Sequence, residues 1–276
     1  MEDKEVVTRV VQLLERLSGP QQGQSVLNRL LQSDNLTDIA RDIAASPAFE
    51  RLYKESRTVA LKPEGRKEAD PAYVGIPDLP PDLPFDEQFD RFFSPRLRAR
   101  ADGFATIFRS LPKSTEKLLI VETGCLRIPR NWDGDGQSTF MFDALARSRG
   151  GFFFSIDVTV ESIETARRAC SSSTNLILGD SVASLHNLSA LISRPANLLY
   201  LDSYDLDPQN PMPSAIHHAM ELIAAHPLIG PGTIVCVDDY SVGAQAGGKG
   251  LLLDLYFSTI RAEVLHSGYQ KAWRLA

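Results

Sequence analysis

From Lys117 onward the chain alternates short apolar runs with longer stretches in which apolar positions recur every three or four residues. The runs are Leu118 to Val121, Phe152 to Ile156, Asn175 to Leu178, Asn197 to Leu201 and Thr233 to Val237. Such short, largely apolar runs, the last rich in β-branched residues, suit strands covered on both faces, as in a parallel sheet. Between them the helical period predicts helices from Ser138 to about Arg149, Val160 to Cys170, Ser181 to about Ile192, Ser214 to Ala225 and Gly250 to Ile260. This alternation predicts an α/β fold built on a doubly wound parallel sheet. The tail breaks the rhythm. Ala262 to His266 and Tyr269 to Leu275 flank Ser267-Gly268, which predicts an antiparallel hairpin closing the sheet.

Upstream the pattern is different. Apolar residues from Val6 to Leu17 follow helical spacing and stop at Ser18-Gly19-Pro20. A short helix around Val26 to Leu31 and a third from Leu36 to about Ala45 complete an expected helical appendage over residues 1–60, a candidate for packing or for homo-oligomer formation. Residues 61–84 carry Pro63, Pro71, Pro77, Pro80, Pro81 and Pro84, a density that resists both helix and sheet and predicts a linker or surface arm. Phe85 to Leu111 returns to helical spacing, with an aromatic stripe (Phe89, Phe92, Phe93, Phe104, Phe108) and a break at Pro95. The stripe is expected to cover the first strand of the 85–276 domain.

Composition narrows the function without naming it. A formal net charge of -6 argues against a nucleic-acid partner, and no basic block overrides it. No apolar run approaches a membrane span. The acidic, amphipathic N-terminus is not a secretory signal, and Cys125, Cys170 and Cys236 are widely spaced and odd in number. A reduced, cytoplasmic setting is the expectation.

The candidate chemistry lies where the strands end. Glu122, Asp157, Asp180, Asp202 and Asp238 each follow one of the five strands within two residues. Burying an unpaired carboxylate costs several kcal/mol, and open α/β sheets bind ligands outside the carboxyl ends of their strands. A row of acids along that edge therefore points to a polar ligand. Asp157 stands where nucleoside-binding folds place the acid that accepts hydrogen bonds from ribose hydroxyls. Glu122-Thr123-Gly124 offers a close backbone approach but lacks a full GxGxxG, which disfavours a dinucleotide such as the nicotinamide cofactors. Asp238 and Asp239 are adjacent acids, which repel unless a cation or proton lies between them.

Taken in order, Glu122-Thr123-Gly124, Asp157, Gly179-Asp180, Asp202 and Asp238, with the terminal hairpin, resemble the successive motifs of class I S-adenosylmethionine-dependent methyltransferases. LIGPGTIVCVDDY resembles the macrocin O-methyltransferase type within them. The resemblance spans roughly Lys117 to Ala276 and implies a mostly parallel, seven-stranded Rossmann-like sheet. It implies that Glu122 and Gly124 lie near the methionine part of S-adenosyl-L-methionine, Asp157 on the ribose, and Asp180 with Ser181 at the adenine edge. It also implies a Mg²⁺ or Mn²⁺ ion held by Asp202, Asp238 and Asp239, lowering the pKa of an acceptor hydroxyl. The substrate expected is a small polar molecule such as a sugar or glycosylated natural product. Metal-independent methyl- or aminopropyl transfer on the same fold, and a non-catalytic cofactor-binding or interaction protein, are the alternatives.

Two positions depart from the catechol O-methyltransferase pattern. That enzyme has an asparagine at the position of Asp239, and a lysine base at the position of Asp205. Asp205 is therefore one candidate base. Lys249, in Gly247-Gly248-Lys249-Gly250, is expected to meet the substrate or a carboxylate. His218 is a candidate by intrinsic pKa, although at most one of His217 and His218 can face the sheet.

Overall fold

The computed structural model describes residues 68–113, 117–242 and 245–276, all within one compact unit. The helices expected between Val6 and Ala45, and residues 61–67 of the proline-rich segment, lie outside the described residues.

Seven strands form the main sheet: β1 (Leu119–Thr123), β2 (Phe152–Asp157), β3 (Thr174–Leu178), β4 (Leu198–Leu201), β5 (Ile234–Val237), β8 (Ala262–Ser267) and β9 (Lys271–Leu275). Their order is β3-β2-β1-β4-β5-β9-β8. The first five run parallel, and β9 inserts antiparallel between β5 and β8. The doubly wound sheet with a terminal antiparallel hairpin is the expected architecture. Two further strands, β6 (Ser241–Val242) and β7 (Gln245–Ala246), make a separate small ribbon beyond β5.

The period-2 pleat sorts the buried side chains onto two faces. Ile120, Leu198, Tyr200, Ile234 and Cys236 point to one core, and Leu119, Val121, Leu199, Leu201, Val235 and Val237 to the other. The first face is covered by α1 (Phe85–Gln88), α2 (Ala101–Ser110), α3 (Ser138–Ser148) and α4 (Val160–Ala169). On the second face lie α5 (Ser181–Leu191), α6 (Met212–Ala224) and α7 (Leu251–Thr259).

The aromatic stripe is core. Phe85 meets Phe108 edge-on with centroids 4.9 Å apart, and Phe104 stacks on Tyr200 of β4 at 5.6 Å. Its backbone is not one helix. A π turn over Phe89–Phe93 and a 3₁₀ turn over Ser94–Arg96, with Pro95 inside it, separate α1 from α2. Proline removes an amide donor and interrupts the α-ladder there. Upstream, Val74 and Ile76 are buried, and the Trp132 indole Nε1–H donates to the Val74 carbonyl at 2.7 Å. Among the described residues no helix is long and apolar enough to cross a membrane, and Cys125, Cys170 and Cys236 are free and buried.

Candidate active site

The parallel strands end on one side of the sheet, and a cavity opens there. It is lined by Gly124, Asp157, Asp202, Asp239, Arg100 and Tyr269, among others. Hydrogen bonds between the strand-end loops assemble its floor. The Gly124 amide donates to the Ile156 carbonyl at 2.8 Å, and Asp202 N–H to the Thr123 carbonyl at 2.9 Å. Gly124 has φ +86°, and a Cβ on it would lie 2.4 Å from the Asp202 carbonyl oxygen. Only glycine allows the β1 and β4 ends to approach so closely. Beside this turn, Asp157 accepts from the Cys125 amide at 2.9 Å and from both the amide and the hydroxyl of Thr159 at 2.7 and 2.6 Å. Its carboxylate is held in place at the cavity wall.

Three acids meet on the β4–β5 side. Asp202, Asp238 and Asp239 offer oxygens that all lie within 4.8 Å of one another. Asp238 is fully buried. Asp239 has φ +47°, an uncommon conformation for a residue with a side chain, and this turn sets its carboxylate toward the cavity beside Asp202. Two cations come with the acids. Arg100, at the entry to α2, grips Asp238 from Nε at 2.9 Å and Nη2 at 2.8 Å to Oδ2, and reaches Asp239 Oδ1 at 3.6 Å. Lys249 Nζ lies against Asp202 Oδ1 and 3.1 Å from Asp239 Oδ2. Tyr269, in the β8–β9 turn, donates its hydroxyl to Asp239 Oδ1, and the Arg100 guanidinium sits over its ring at 4.5 Å.

Charge keeps these groups together. Burial opposes the lysine's charge, yet Asp202, Asp239 and Asp238 outweigh it and raise its pKa above the ordinary lysine value. Arg100 is raised in the same way, burial being overcome by the charge and hydrogen bonds of Asp238. Burial would lift Asp239, but Lys249, the Tyr269 hydroxyl and Arg100 hold it below the usual carboxylate range.

The oxygen donors suit a hard divalent cation in type and spacing, but the space they enclose does not. Asp238 Oδ1 and Oδ2 face Arg100, Asp239 Oδ1 faces Tyr269 and Arg100, and Asp239 Oδ2 and Asp202 Oδ1 face Lys249. Of the cluster's six carboxylate oxygens, Asp202 Oδ2 alone has no donor partner among the described residues. Mg²⁺ needs near-octahedral oxygens at about 2.1 Å, and here nitrogen and hydroxyl donors already occupy that direction. As arranged, the residues do not fit the ion that the resemblance implies.

The other expected residues are placed differently. Glu122 belongs to β1, fully buried, and accepts from the hydroxyls of Ser138 and Ser155, each at 2.5 Å. Burial pushes its pKa up to about 7, against the pull of those hydroxyls. It sits behind Ser138, which lines the cavity. Asp180 caps α5 by accepting from the Ala183 amide at 2.9 Å. Ser181 is buried and pairs with His217 Nε2 at 3.0 Å, and neither Asp180 nor Ser181 is among the residues lining the cavity.

None of the three candidate bases is placed to take a proton in the cavity. Asp205 is 79% exposed and tied to Arg127 Nη1 at 2.8 Å. Lys249 is sealed between carboxylates. His218 is fully buried with Nδ1 2.7 Å from the Ser214 carbonyl, and burial drops its pKa to about 4. Buried Glu221 organises this region instead, accepting from Ser203 Oγ at 2.6 Å and lying 3.4 Å from His217 Nε2. Burial would raise Glu221, but His217, His218 and the hydroxyls of Ser181 and Ser203 bring it to about 2. Sequence reasoning missed Arg100, Tyr269 and Glu221.

No family model and no curated protein matches the chain. Several solved structures are similar to it in backbone course. The MycE methyltransferase of the mycinamycin biosynthetic pathway, in complex with Mg and SAH, is 16% identical over 70% of this chain, with a TM-score of 0.46. This chain spans 54% of the length of that one. The O-methyltransferase of Bacillus cereus, in complex with SAH, is 14% identical over 74% of this chain and 96% of its own, with a TM-score of 0.42. CalS11, a calicheamicin methyltransferase, is 13% identical over 83% of this chain and 93% of its own, with a TM-score of 0.41.

Proposed function

We propose that this chain is an S-adenosylmethionine-dependent O-methyltransferase acting on a hydroxyl of a small polar molecule such as a sugar or glycosylated natural product. The observation that carries the reading is the convergence of the Gly124 turn, Asp157, Asp202 and Asp239 on one cavity at the carboxyl ends of parallel strands. The motif resemblance assigns the Gly124 turn to the methionine part, Asp157 to the ribose, and Asp202 with Asp239 to a divalent cation that would orient the acceptor hydroxyl.

When bound, S-adenosylmethionine supplies a methyl group on a sulfonium, which an acceptor oxygen displaces in line. The chain's own part is positioning and proton handling. Asp157, fixed by Cys125 and Thr159, presents carboxylate oxygens for a ribose diol. The glycine at 124, whose Cβ would meet the Asp202 carbonyl, lets the β1 and β4 loops close together at the cavity. Asp202 lines the cavity, its Oδ2 has no donor partner among the described residues, and this carboxylate is the group we assign to take the proton of the acceptor hydroxyl. Next to the cavity an open groove lined by Arg96, Arg98, Arg130 and Trp132 provides a polar approach for the acceptor.

Calorimetric titration of the full chain with S-adenosylmethionine and S-adenosylhomocysteine tests this reading. Binding to the wild type, weakened about tenfold or more by Asp157→Ala through the loss of its charge-assisted hydrogen bonds, is the expected result. No binding of either ligand would overturn it.

A further inference from the structure

We infer that Lys249 and Arg100 take the place of the divalent cation, so that this site is organised by the chain's own positive charges and works without metal. The inference rests on the methyl-transfer reading only for what the site is used for; the cation chemistry stands on geometry alone.

The first ground is occupancy. When ionised, the three carboxylates bring a charge of -3 to one spot, and the ammonium and guanidinium return +2. A single negative charge is left, on the side where Asp202 faces the cavity. A divalent ion added to this set would turn the balance positive and would have to displace nitrogens already seated on the same oxygens.

The second ground is how firmly the lysine is held. Its side chain is 2% exposed. The turn that carries it lies directly on the backbone of Asp239: the Lys249 amide donates to the Asp239 carbonyl at 3.3 Å. Gly248 has φ +41°, and a Cβ there would fall 2.0 Å from that same carbonyl oxygen. Glycine at 248 is thus what lets the turn close onto β5 and thread the ammonium between Asp202 and Asp239. Arg100 reaches the acids from the 3₁₀ turn that leads into α2, on the opposite face of the sheet. Two separate elements therefore each contribute a buried cation to the three acids.

Lys249 does not line the cavity, so it is a positioning residue. It brings Asp202 and Asp239 close together, a juxtaposition that would otherwise be repulsive, and it engages Asp202 through Oδ1 rather than Oδ2.

The test uses Mn²⁺ as a paramagnetic stand-in for Mg²⁺ and the full chain. Electron paramagnetic resonance reads the free aquo ion as protein is added. The wild type is expected to leave the signal undiminished, and S-adenosylhomocysteine affinity is expected to be the same in Mg²⁺ and in EDTA. Lys249→Gln and Lys249→Met, which remove the charge while filling most of the space, are expected to gain Mn²⁺ binding tighter than the wild type by about tenfold or more. Depletion of the Mn²⁺ signal by the wild type, abolished by Asp202→Asn, would overturn the inference. So would two folded lysine variants that both fail to gain Mn²⁺ binding, since the acids would then form no cation site for the lysine to fill. Should either variant not fold, the wild-type titration still decides. Failure to bind S-adenosylhomocysteine in either condition counts against the methyltransferase reading and leaves the Mn²⁺ result to be judged alone.

Discussion

Arg100 and Asp238 lie 138 positions apart, yet the guanidinium grips the carboxylate from Nε at 2.9 Å and Nη2 at 2.8 Å, with Asp238 fully buried. This contact ties the helical layer before the first strand to the end of the last parallel strand. It also gives a carboxylate that would otherwise be buried alone its charge-assisted partner.

Removing one partner of a buried pair costs more than removing both, because an uncompensated charge is left behind. Arg100→Met is therefore expected to destabilise the fold by roughly 3–5 kcal/mol. The double variant Arg100→Met with Asp238→Asn should recover most of that loss. Urea unfolding of the four proteins of the double-mutant cycle measures both. A double variant as unstable as the single one would mean that the arginine acts by packing alone.

Glu122 makes stability depend on pH. Its carboxyl has an ordinary value of 4.5 and is pushed to about 7 in the fold. Below 4.5 it is protonated in both states. Between 4.5 and 7 the unfolded chain releases the proton while the folded chain keeps it, so stability falls as pH rises, and above 7 the loss is complete. The two values together amount to about 3 kcal/mol. Glu122→Gln should flatten the curve of unfolding free energy between pH 4.5 and 7. A variant with the wild-type slope would place that titration on another group.

Much of this was legible beforehand, for physical reasons. The parallel strands have largely apolar sequences because both faces are covered, and their acids stand out because carboxylates at strand ends need a reason to be there. Glu122, Asp157 and Asp202 were found that way. Arg100 was not. It is one of several arginines around an aromatic stripe, and nothing local distinguishes it from exposed Arg98. Tyr269 reaches Asp239 only because β9 inserts beside β5, a long-range pairing with no short-range signal. The glycines flanking Lys249 read locally as a loop. The close approach of Gly248 to the Asp239 carbonyl becomes visible only when the turn and strand are seen together.

Gly124 should tolerate no side chain. Gly124→Ala places a Cβ 2.4 Å from the Asp202 carbonyl oxygen at φ +86°. The left-handed backbone alone costs an L-residue about 1–2 kcal/mol, and the clash pushes the β1 and β4 loops apart. A loss of roughly 2–4 kcal/mol in unfolding free energy is expected, together with loss of S-adenosylhomocysteine binding. Wild-type stability and affinity in this variant would show that the two loops need not lie as close as they do.

Asp202 and Asp205 are three positions apart, and their environments assign them opposite weights. Asp205 is 79% exposed, and its pair with half-exposed Arg127 is of the kind worth about 0–1 kcal/mol. Asp205→Asn should leave both the melting temperature and cofactor-product affinity essentially unchanged. Asp202→Ala strips a charge-assisted partner from a buried ammonium, at a cost of roughly 2 kcal/mol. It should also remove the proposed proton acceptor from the cavity wall, so any methyl transfer would fall while product binding persists. The contrast is diagnostic: equal effects of the two substitutions on methyl transfer would return Asp205, the position of the catechol-type lysine, to the role of base.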